Sequence, residues 1–399
     1  MEKIAIVVQR CHESVIGGSE SEALYFGQLL KDKYEIDIIT TTAVDIIKWR
    51  NTLKEGDERK NGICIKRFNV SQERAEYWGK IHELLVGRYD KVSDLKDPGE
   101  RIIRWPIALQ EEFIYKQGPY SEDLINYLSE KYNDYKFILF FTYLYAPTYY
   151  GMQHVPKEKI IFIPTLHNEP PAYLSVYKYA ARRARLIIWN TYRESLFGKS
   201  LWGELPGEII GMGVNTKNYP PAKLDFPYLL YCGRIDISKG CSELVDYYLR
   251  FKKDFPSDLC LVLTGDLKIE LPEDKSIMFK GTVSENEKFE LMSGAEAFVM
   301  PSPYESFSIA TLEAMAQKTP VLASTGSDIV VDHIKKSNGG LLYNNYENFR
   351  EGINLLLKNK KRSNALGENG NRYVNENYDN KEISIKLKDL LNKWGGAFS

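Results

Sequence analysis

Residues 211–233 read GMGVNTKNYPPAKLDFPYLLYCG, and this stretch decides how the chain is divided. Glycine, proline and asparagine crowd residues 211–227, and a fresh apolar strand, YLLYCG (228–233), then begins. At 399 residues the chain is long for one hydrophobic core, so such a break marks a linker between two domains.

On both sides of the break, short apolar runs alternate with helical patterns. IAIVV (4–8), IDIIT (36–40), FILFF (137–141), KIIFIP (159–164) and RLIIWN (185–190) precede it; LCLVLTG (259–265), AFVMP (297–301) and PVLAS (320–324) follow. Most lack polar–apolar alternation, as expected of parallel strands covered on both faces. The fold class is therefore α/β, with two doubly wound parallel sheets. The expected boundaries are a first domain at 1–210, a linker at 211–227, a second domain at 228–379, and a C-terminal helix over 380–399 that packs back on the first domain. Residues 70–130 break the series with charged, aromatic helical patterns and read as a helical insertion. There Tyr77, Trp78, Tyr89, Trp105 and Tyr120 suit stacking on sugar rings, against the commoner role of core packing.

Composition excludes several classes. Lys plus Arg total 53 against 54 Asp plus Glu, so no global field favours nucleic acid. MEKIAIVVQR is too short an apolar run for a signal peptide, and FILFFTYLYAP (137–147) stops well short of a membrane span. The five cysteines form no C-x-x-C pair, which suits buried thiols in a reducing compartment, and a cytoplasmic location is expected. In YLSVYKYAARRAR (173–185), Lys178, Arg182, Arg183 and Arg185 gather toward a helix end. The helix dipole alone favours cations there; peripheral contact with the inner face of an anionic membrane is the second reading.

Four features fall at the carboxyl ends of the expected strands, where doubly wound sheets bind ligands. In VIGGSESEALYFGQLL (15–30), Gly17 and Gly18 allow close backbone approach, and Ser19 with Glu22 fits a capping box at a helix start. In CGRIDISKG (232–240), Arg234 and Lys239 lie in a loop freed by Gly233 and Gly240, so both cations can converge on a diphosphate. In PSPYESFSIATLEAMAQKTPVLAS (301–324), Glu305 lies in the strand-to-helix turn, and Glu313 shares a helical face with Ile309, Ala310 and Ala316. A carboxylate on such a face needs a partner: the hydroxyls of a sugar or ribose, or a structural salt bridge. In PTLHNEPPAYL (164–174), His167 follows a strand and precedes Pro170 and Pro171, where a structural histidine is the commoner case.

Together, Gly17-Gly18-Ser19-Glu20, Gly233-Arg234 with Lys239-Gly240, LTGD (263–266), Gly281-Thr282-Val283 and Glu305 through Glu313 resemble the family 4 retaining glycosyltransferases of the GT-B fold. The resemblance implies two Rossmann-like domains facing a central cleft, the first binding an acceptor and the second a nucleotide-sugar donor. It implies that Arg234 and Lys239 hold the donor diphosphate, with Gly17 and Gly18 approaching it and Gly265 in the donor site. It gives Glu313 to the ribose, Glu305 to the donor sugar, and Val283 to the base. Main-chain amides of Phe307, Ser308 and Ile309 would meet sugar and phosphates, and His167 would lie beside the sugar and acceptor. The expected catalytic set is Glu305, His167, Arg234 and Lys239.

The implied reaction moves a sugar from a UDP- or GDP-sugar to a hydroxyl of a glycan, lipid-linked or small-molecule acceptor, as in cell-surface polysaccharide or glycoconjugate synthesis. No cofactor is required, and no Asp-x-Asp motif is present for a metal, so Arg234, Lys239 and helix N-termini take the electrostatic role. The family commonly reads Glu-Gly-Phe-Gly where this chain reads Glu305-Ser306-Phe307-Ser308, from which a turn with ordinary dihedrals is expected. Asn168 stands where many members have Asp. The alternatives are another enzyme of the same fold, a nucleotide-sugar epimerase or an inverting transferase with His12 as base, or a non-catalytic partner subunit that binds a nucleotide sugar.

Overall fold

The computed structural model describes residues 1–15 and 17–395. The chain forms two compact units, Met1–Gly211 joined by the residues from Ser384 on, and Met212–Ile383. In the first unit the strands are β1 (Lys3–Arg10), β2 (Glu35–Thr41), β3 (Gly56–Lys60), β4 (Ile63–Phe68), β5 (Phe137–Phe141), β6 (Ile160–Ile163), β7 (Leu186–Trp189) and β8 (Gly207–Ile209). They form one sheet in the order β3-β4-β2-β1-β5-β6-β7-β8. Only β3 runs antiparallel to its neighbour. The chain moves outward from β1 on one side and returns at β5 on the other, so the strand order reverses between β1 and β5.

The second unit carries β9 (Tyr228–Cys232), β10 (Cys260–Thr264), β11 (Ile277–Phe279), β12 (Ala297–Met300), β13 (Val321–Ser324) and β14 (Gly340–Tyr343). Their order is β11-β10-β9-β12-β13-β14, all parallel, with the reversal between β9 and β12. Such reversals open a crevice beyond the strand ends, which is where ligands enter doubly wound sheets.

Burial on both sheet faces explains the missing alternation. On β1 and β5, Ala5, Val7, Ile138 and Phe140 join one core cluster, while Ile4, Ile6, Phe137 and Leu139 are equally buried on the opposite face. The same holds in the second unit for Leu229 and Tyr231 against Leu230. The β3–β4 hairpin escaped the sequence reading because β3 is polar and exposed. Its signal was Asn61-Gly62, whose φ values of 52° and 81° make the left-handed two-residue turn that hairpins favour.

Residues 212–227 read as a linker yet pack within the second unit. Tyr219 stacks on Phe289 at 4.8 Å, its amide donates to Gln317 at 3.0 Å, and the Ala222 amide donates to the Glu290 carbonyl at 2.8 Å. The last helix is Asn380–Gly395; the remainder of the expected 380–399 helix lies outside the described residues. Trp394 of this helix lies 5.6 Å under the Arg185 guanidinium, and Lys393 pairs with Glu208 at 3.1 Å, all within the first unit.

All six tryptophans (Trp49, Trp78, Trp105, Trp189, Trp202 and Trp394) belong to the first unit, so their fluorescence follows that unit alone. Truncating the fully buried Phe140 to Ala is expected to cost about 3–5 kcal/mol there. The urea midpoint read by tryptophan emission should fall accordingly, and an unchanged midpoint would contradict the packing described.

Candidate functional site

The second unit's site is built from strand-end loops that touch backbone to backbone. Gly265, just past β10, has φ +131°, and a Cβ there would lie 1.9 Å from the Gly233 carbonyl oxygen beyond β9. Gly240 has φ +72°, and its Cβ would lie 2.6 Å from the Pro301 carbonyl oxygen beyond β12. Neither approach admits a side chain. The Gly281 carbonyl accepts from the Thr264 hydroxyl at 2.7 Å and the Gly265 amide at 2.9 Å, which draws in the segment carrying Val283. Thus the loops holding Arg234, Lys239, Gly265, Val283 and Glu305 gather at one end of one sheet.

Charge in this cluster is paired internally. Lys239 Nζ lies 2.7 Å from Glu305 Oε1 and also donates to the Tyr304 carbonyl at 3.3 Å. Arg234 Nε pairs with Asp236, whose Oδ1 accepts from the Ser238 hydroxyl at 2.7 Å and the Lys239 amide at 2.9 Å. Burial pushes the Asp236 carboxyl up, but Ser238, Arg234 and the Lys239 amide outweigh it and hold it below its ordinary value. Burial also pushes the Tyr231 phenol up, with Glu305 and Asp236 among the groups adding to it. Burial and then Glu313 do the same to the Cys232 thiol.

Glu313, on the helix Ile309–Ala316, is buried and finds its partner in Lys288 at 2.6 Å, on the helix Glu285–Gly294. The salt bridge is the arrangement found, and its cation lies 25 residues upstream, beyond the reach of local sequence reading. Burial still dominates and leaves the Glu313 carboxyl above its ordinary value, against the pull of Lys288.

The expectation of ordinary dihedrals in the Glu305–Ser308 turn is corrected. Ser308 has φ 62° and ψ 57°, the left-handed conformation that glycine would adopt freely. For an L-residue this costs about 1–2 kcal/mol. Two contacts hold the turn there: the Ser308 hydroxyl shares a 2.9 Å hydrogen bond with Thr311 Oγ1, and the Phe307 carbonyl accepts from His333 Nε2 at 3.0 Å. His333 was missed by the sequence reading. Its other ring nitrogen, Nδ1, accepts from the Tyr373 hydroxyl at 3.0 Å. Burial pushes this imidazole down to about 4, against the pull of the Phe307 carbonyl, so at neutral pH the ring is neutral with its proton on Nε2.

In the first unit, Gly17 is the N-cap of the helix Gly18–Leu30, and a Cβ on Gly18 would meet open space. The Ser19–Glu22 capping box is not formed. Ser19 lies inside the first turn, its hydroxyl engaged by Gln9 at 3.1 Å and Glu20 at 3.0 Å, and Glu22 is buried against Asn190 at 3.1 Å. The anion beside this helix start is Glu20, which pairs with Arg10 at 2.5 Å. The unit's capping box lies elsewhere, at Thr191 and Glu194. The Thr191 hydroxyl accepts from the Glu194 amide at 3.0 Å, and Glu194 accepts from the amides of Asn190 at 2.5 Å and Leu166 at 2.6 Å.

His167, past β6, faces Glu169 at 3.6 Å; Glu169 Oε1 accepts from the Tyr143 hydroxyl at 2.6 Å. His167 Nδ1 is buried and has no hydrogen-bond partner among the described residues. Asn168 accepts from Tyr173 at 2.6 Å, so it serves the local packing. Of the basic segment 178–185, Arg183 donates to the Met152, Gln153 and Val155 carbonyls, and Arg185 to that of Glu158. Among the described residues no helix is long and apolar enough to cross a membrane, and no three His, Cys, Asp or Glu side chains group to hold a metal ion.

Residues 215–373 match the family model described as glycosyl transferases group 1. The sequence is similar to a probable sucrose-phosphate synthase of Thermosipho melanesiensis, 27% identical over 246 residues, 55% of this chain and 57% of that protein. It is similar also to a sulfoquinovosyl transferase of Arabidopsis thaliana, 25% identical over 191 residues, 45% and 35% of the two chains. The match to an uncharacterized glycosyltransferase of Methanocaldococcus jannaschii is 26% identical over 162 residues and covers 39% of this chain and 42% of that one. The chain thus spans between 35% and 57% of the length of these relatives. Among solved structures, the sucrose-phosphate synthase of Thermosynechococcus elongatus superposes with a TM-score of 0.67 at 16% identity, over 98% of this chain and 99% of that one. Anabaena HepE in complex with UDP-glucose gives 0.68 at 14% identity, over 98% and 100%. The chain has the GT-B fold. Within this GT-B chain, the residues matched to the family include every second-unit candidate, from Arg234 to Glu313.

Because the strain at Ser308 is conformational, Ser308→Gly should keep stability within about 1 kcal/mol, whereas Ser308→Val, β-branched at positive φ, should lose about 2 kcal/mol or more. Chemical denaturation monitored by circular dichroism separates the two, and equal losses would refute the left-handed turn. For His333, a base whose folded value lies below its ordinary 6.5, the stabilisation is present above 6.5 and lost as pH falls through about 4. Calorimetric melting between pH 7 and 4 should show a shallower acid loss in His333→Gln; an unchanged slope would remove His333 from this role.

Proposed function

We propose that the protein is a retaining glycosyltransferase that takes a sugar from a UDP- or GDP-sugar and places it on an acceptor hydroxyl. The observation that carries this is the Lys239–Glu305 pair at 2.7 Å, held by glycine-packed loops at the carboxyl ends of β9, β10 and β12. A diphosphate arriving there offers Lys239 a stronger anion than Glu305. Arg234, oriented by Asp236, supplies a second cation. The released Glu305 then meets the sugar hydroxyls. Glu313 gains a second hydrogen-bonding role toward a ribose, beside its pair with Lys288.

In the transfer step the bond from the anomeric carbon to the diphosphate oxygen breaks, and its electron pair leaves with the phosphate. The acceptor oxygen bonds to the same face of that carbon, and its proton passes to the departing phosphate oxygen. Arg234 and Lys239 balance the leaving charge, which is the role a metal plays in other transferases; we therefore assign a metal-independent reaction. Glu305 positions the sugar, and His167, which faces Glu169, is the catalytic candidate of the first unit. Solved relatives of the fold are complexed with UDP, glucose and UDP-glucose, which supports a donor of this kind. Polysaccharide or glycoconjugate synthesis in the cytoplasm, with Lys178 and Arg182 toward an anionic membrane, is the setting that fits such an acceptor.

Thermal shift against UDP, GDP, ADP and their sugar conjugates tests the donor reading, since a ligand at 100 times its Kd stabilises by about 2.7 kcal/mol. The donor reading fails if no nucleotide shifts the melt. Lys239→Ala should weaken nucleoside-diphosphate binding by roughly 10- to 100-fold, the loss of one charge-assisted hydrogen bond. Glu305→Ala should abolish transfer while binding stays within a few-fold of the parent; the reverse pattern would overturn both roles.

A further inference from the structure

Arg74, in the first unit between β4 and the helix Trp78–Asp90, is a partly buried cation that pairs with no carboxylate among the described residues. Its guanidinium lies 4.5 Å from the Trp78 ring centre and 5.7 Å from that of Trp49, between two indoles. Its side chain donates one hydrogen bond among the described residues, from Nε to the Gln117 carbonyl at 3.4 Å, the long edge of the range. Asp45, the nearby acid, is turned to its own loop, where it accepts from the amides of Ile47, Lys48, Trp49 and Arg50. The buried guanidinium groups Arg10 and Arg67 of this unit are neutralised, by Glu20 and Glu58, each at 2.5 Å. A half-buried guanidinium with no paired anion among the described residues forgoes the compensation that Arg10 and Arg67 have, so Arg74 can take an anion from outside the chain.

Position says where that partner would come from. Glu169, the residue facing His167, accepts from the Tyr143 hydroxyl just past β5. Tyr145 follows β5 and packs edge-on against Trp49 at 5.1 Å. A further neighbour of Trp49 is Arg10, 5.9 Å from its ring centre, whose own partner Glu20 sits in the first turn of the Gly18–Leu30 helix. Through Trp49, Arg74 therefore stands at the β1/β5 reversal of the first sheet, the side on which Glu169 also meets the chain past β5. The acids there do not compete for it: Glu20 is paired with Arg10, and Glu169 accepts from Tyr143.

We propose that Arg74 anchors an oxyanion on the acceptor, a phosphate or carboxylate carried by the sugar that receives the new bond. This rests on the glycosyltransferase reading and names the acceptor class within it. The planar fork suits a bidentate oxyanion, and the flanking indoles hold it in one orientation, so little side-chain freedom is lost on binding. A neutral acceptor would leave the guanidinium uncompensated.

Titration of the full chain with glucose 6-phosphate, glucuronate and glucose, read by tryptophan emission, tests this, because Trp49 and Trp78 flank the group. At least one charged probe should bind the parent at least tenfold tighter than glucose, and which one distinguishes phosphate from carboxylate. Arg74→Gln should lose at least tenfold of that affinity, and Arg74→Lys, which keeps the charge but not the fork, should also weaken it. The proposal is overturned if neither charged probe binds the parent better than glucose does, or if Arg74→Lys, or a folded Arg74→Gln, binds it as the parent does. UDP binding, followed in parallel by calorimetry, should be unchanged in both variants. Failure of the parent to bind UDP sinks the donor reading while leaving the oxyanion result to stand or fall on its own.

Discussion

Everything proposed for the second unit depends on a steric constraint, the backbone contact of Gly265 with Gly233 and of Gly240 with Pro301. Loops from three parallel strands can meet at that distance only where no Cβ intervenes. That contact brings one cation from the β9 loop against one carboxylate from the β12 loop, and it places main-chain amides at the same edge. A side chain at either glycine would collide with backbone and force the loops to shift.

The charges then follow a single rule. Lys239 with Glu305, Arg234 with Asp236 and Glu313 with Lys288 each satisfy a buried or half-buried ion within the unit, so the site is held in shape by its own pairs. Exchange of one anion for another at Lys239 is a smaller step than desolvating a free lysine. His333 adds a neutral strut: an imidazole too buried to carry charge fixes the Phe307 carbonyl and, through it, a left-handed Ser308. Arg74 stands apart from this rule because its stacking partners are rings, which orient a guanidinium without neutralising it.

Much of the fold was legible because both sheets are parallel and buried on both faces, which writes each central strand as an apolar run such as FILFF or YLLYC. Polar β3 and the three-residue β8 and β11 carry no such run, and their pairing is decided by neighbours distant in sequence. Candidate loops were legible as well, since glycines and cations clustered after strands. The capping assignment at Ser19 failed for a different reason: Thr191 and Glu194 present the same local pattern, and only Glu194 is placed by the fold to meet the free amides of Asn190 and Leu166.

By itself the sequence determined the α/β class, the two sheets and which loops lie at their carboxyl ends, because strand burial and glycine placement are local properties of the chain. Tertiary structure alone decided the distant partners: Lys288 for Glu313, Glu305 for Lys239, His333 under the Glu305 turn, and Trp49 beside Arg74. It also decided that a serine, not a glycine, takes the left-handed turn at position 308. Ion pairs, hydrogen bonds and ring stacks form between side chains brought together by folding, and a linear pattern holds no record of that proximity.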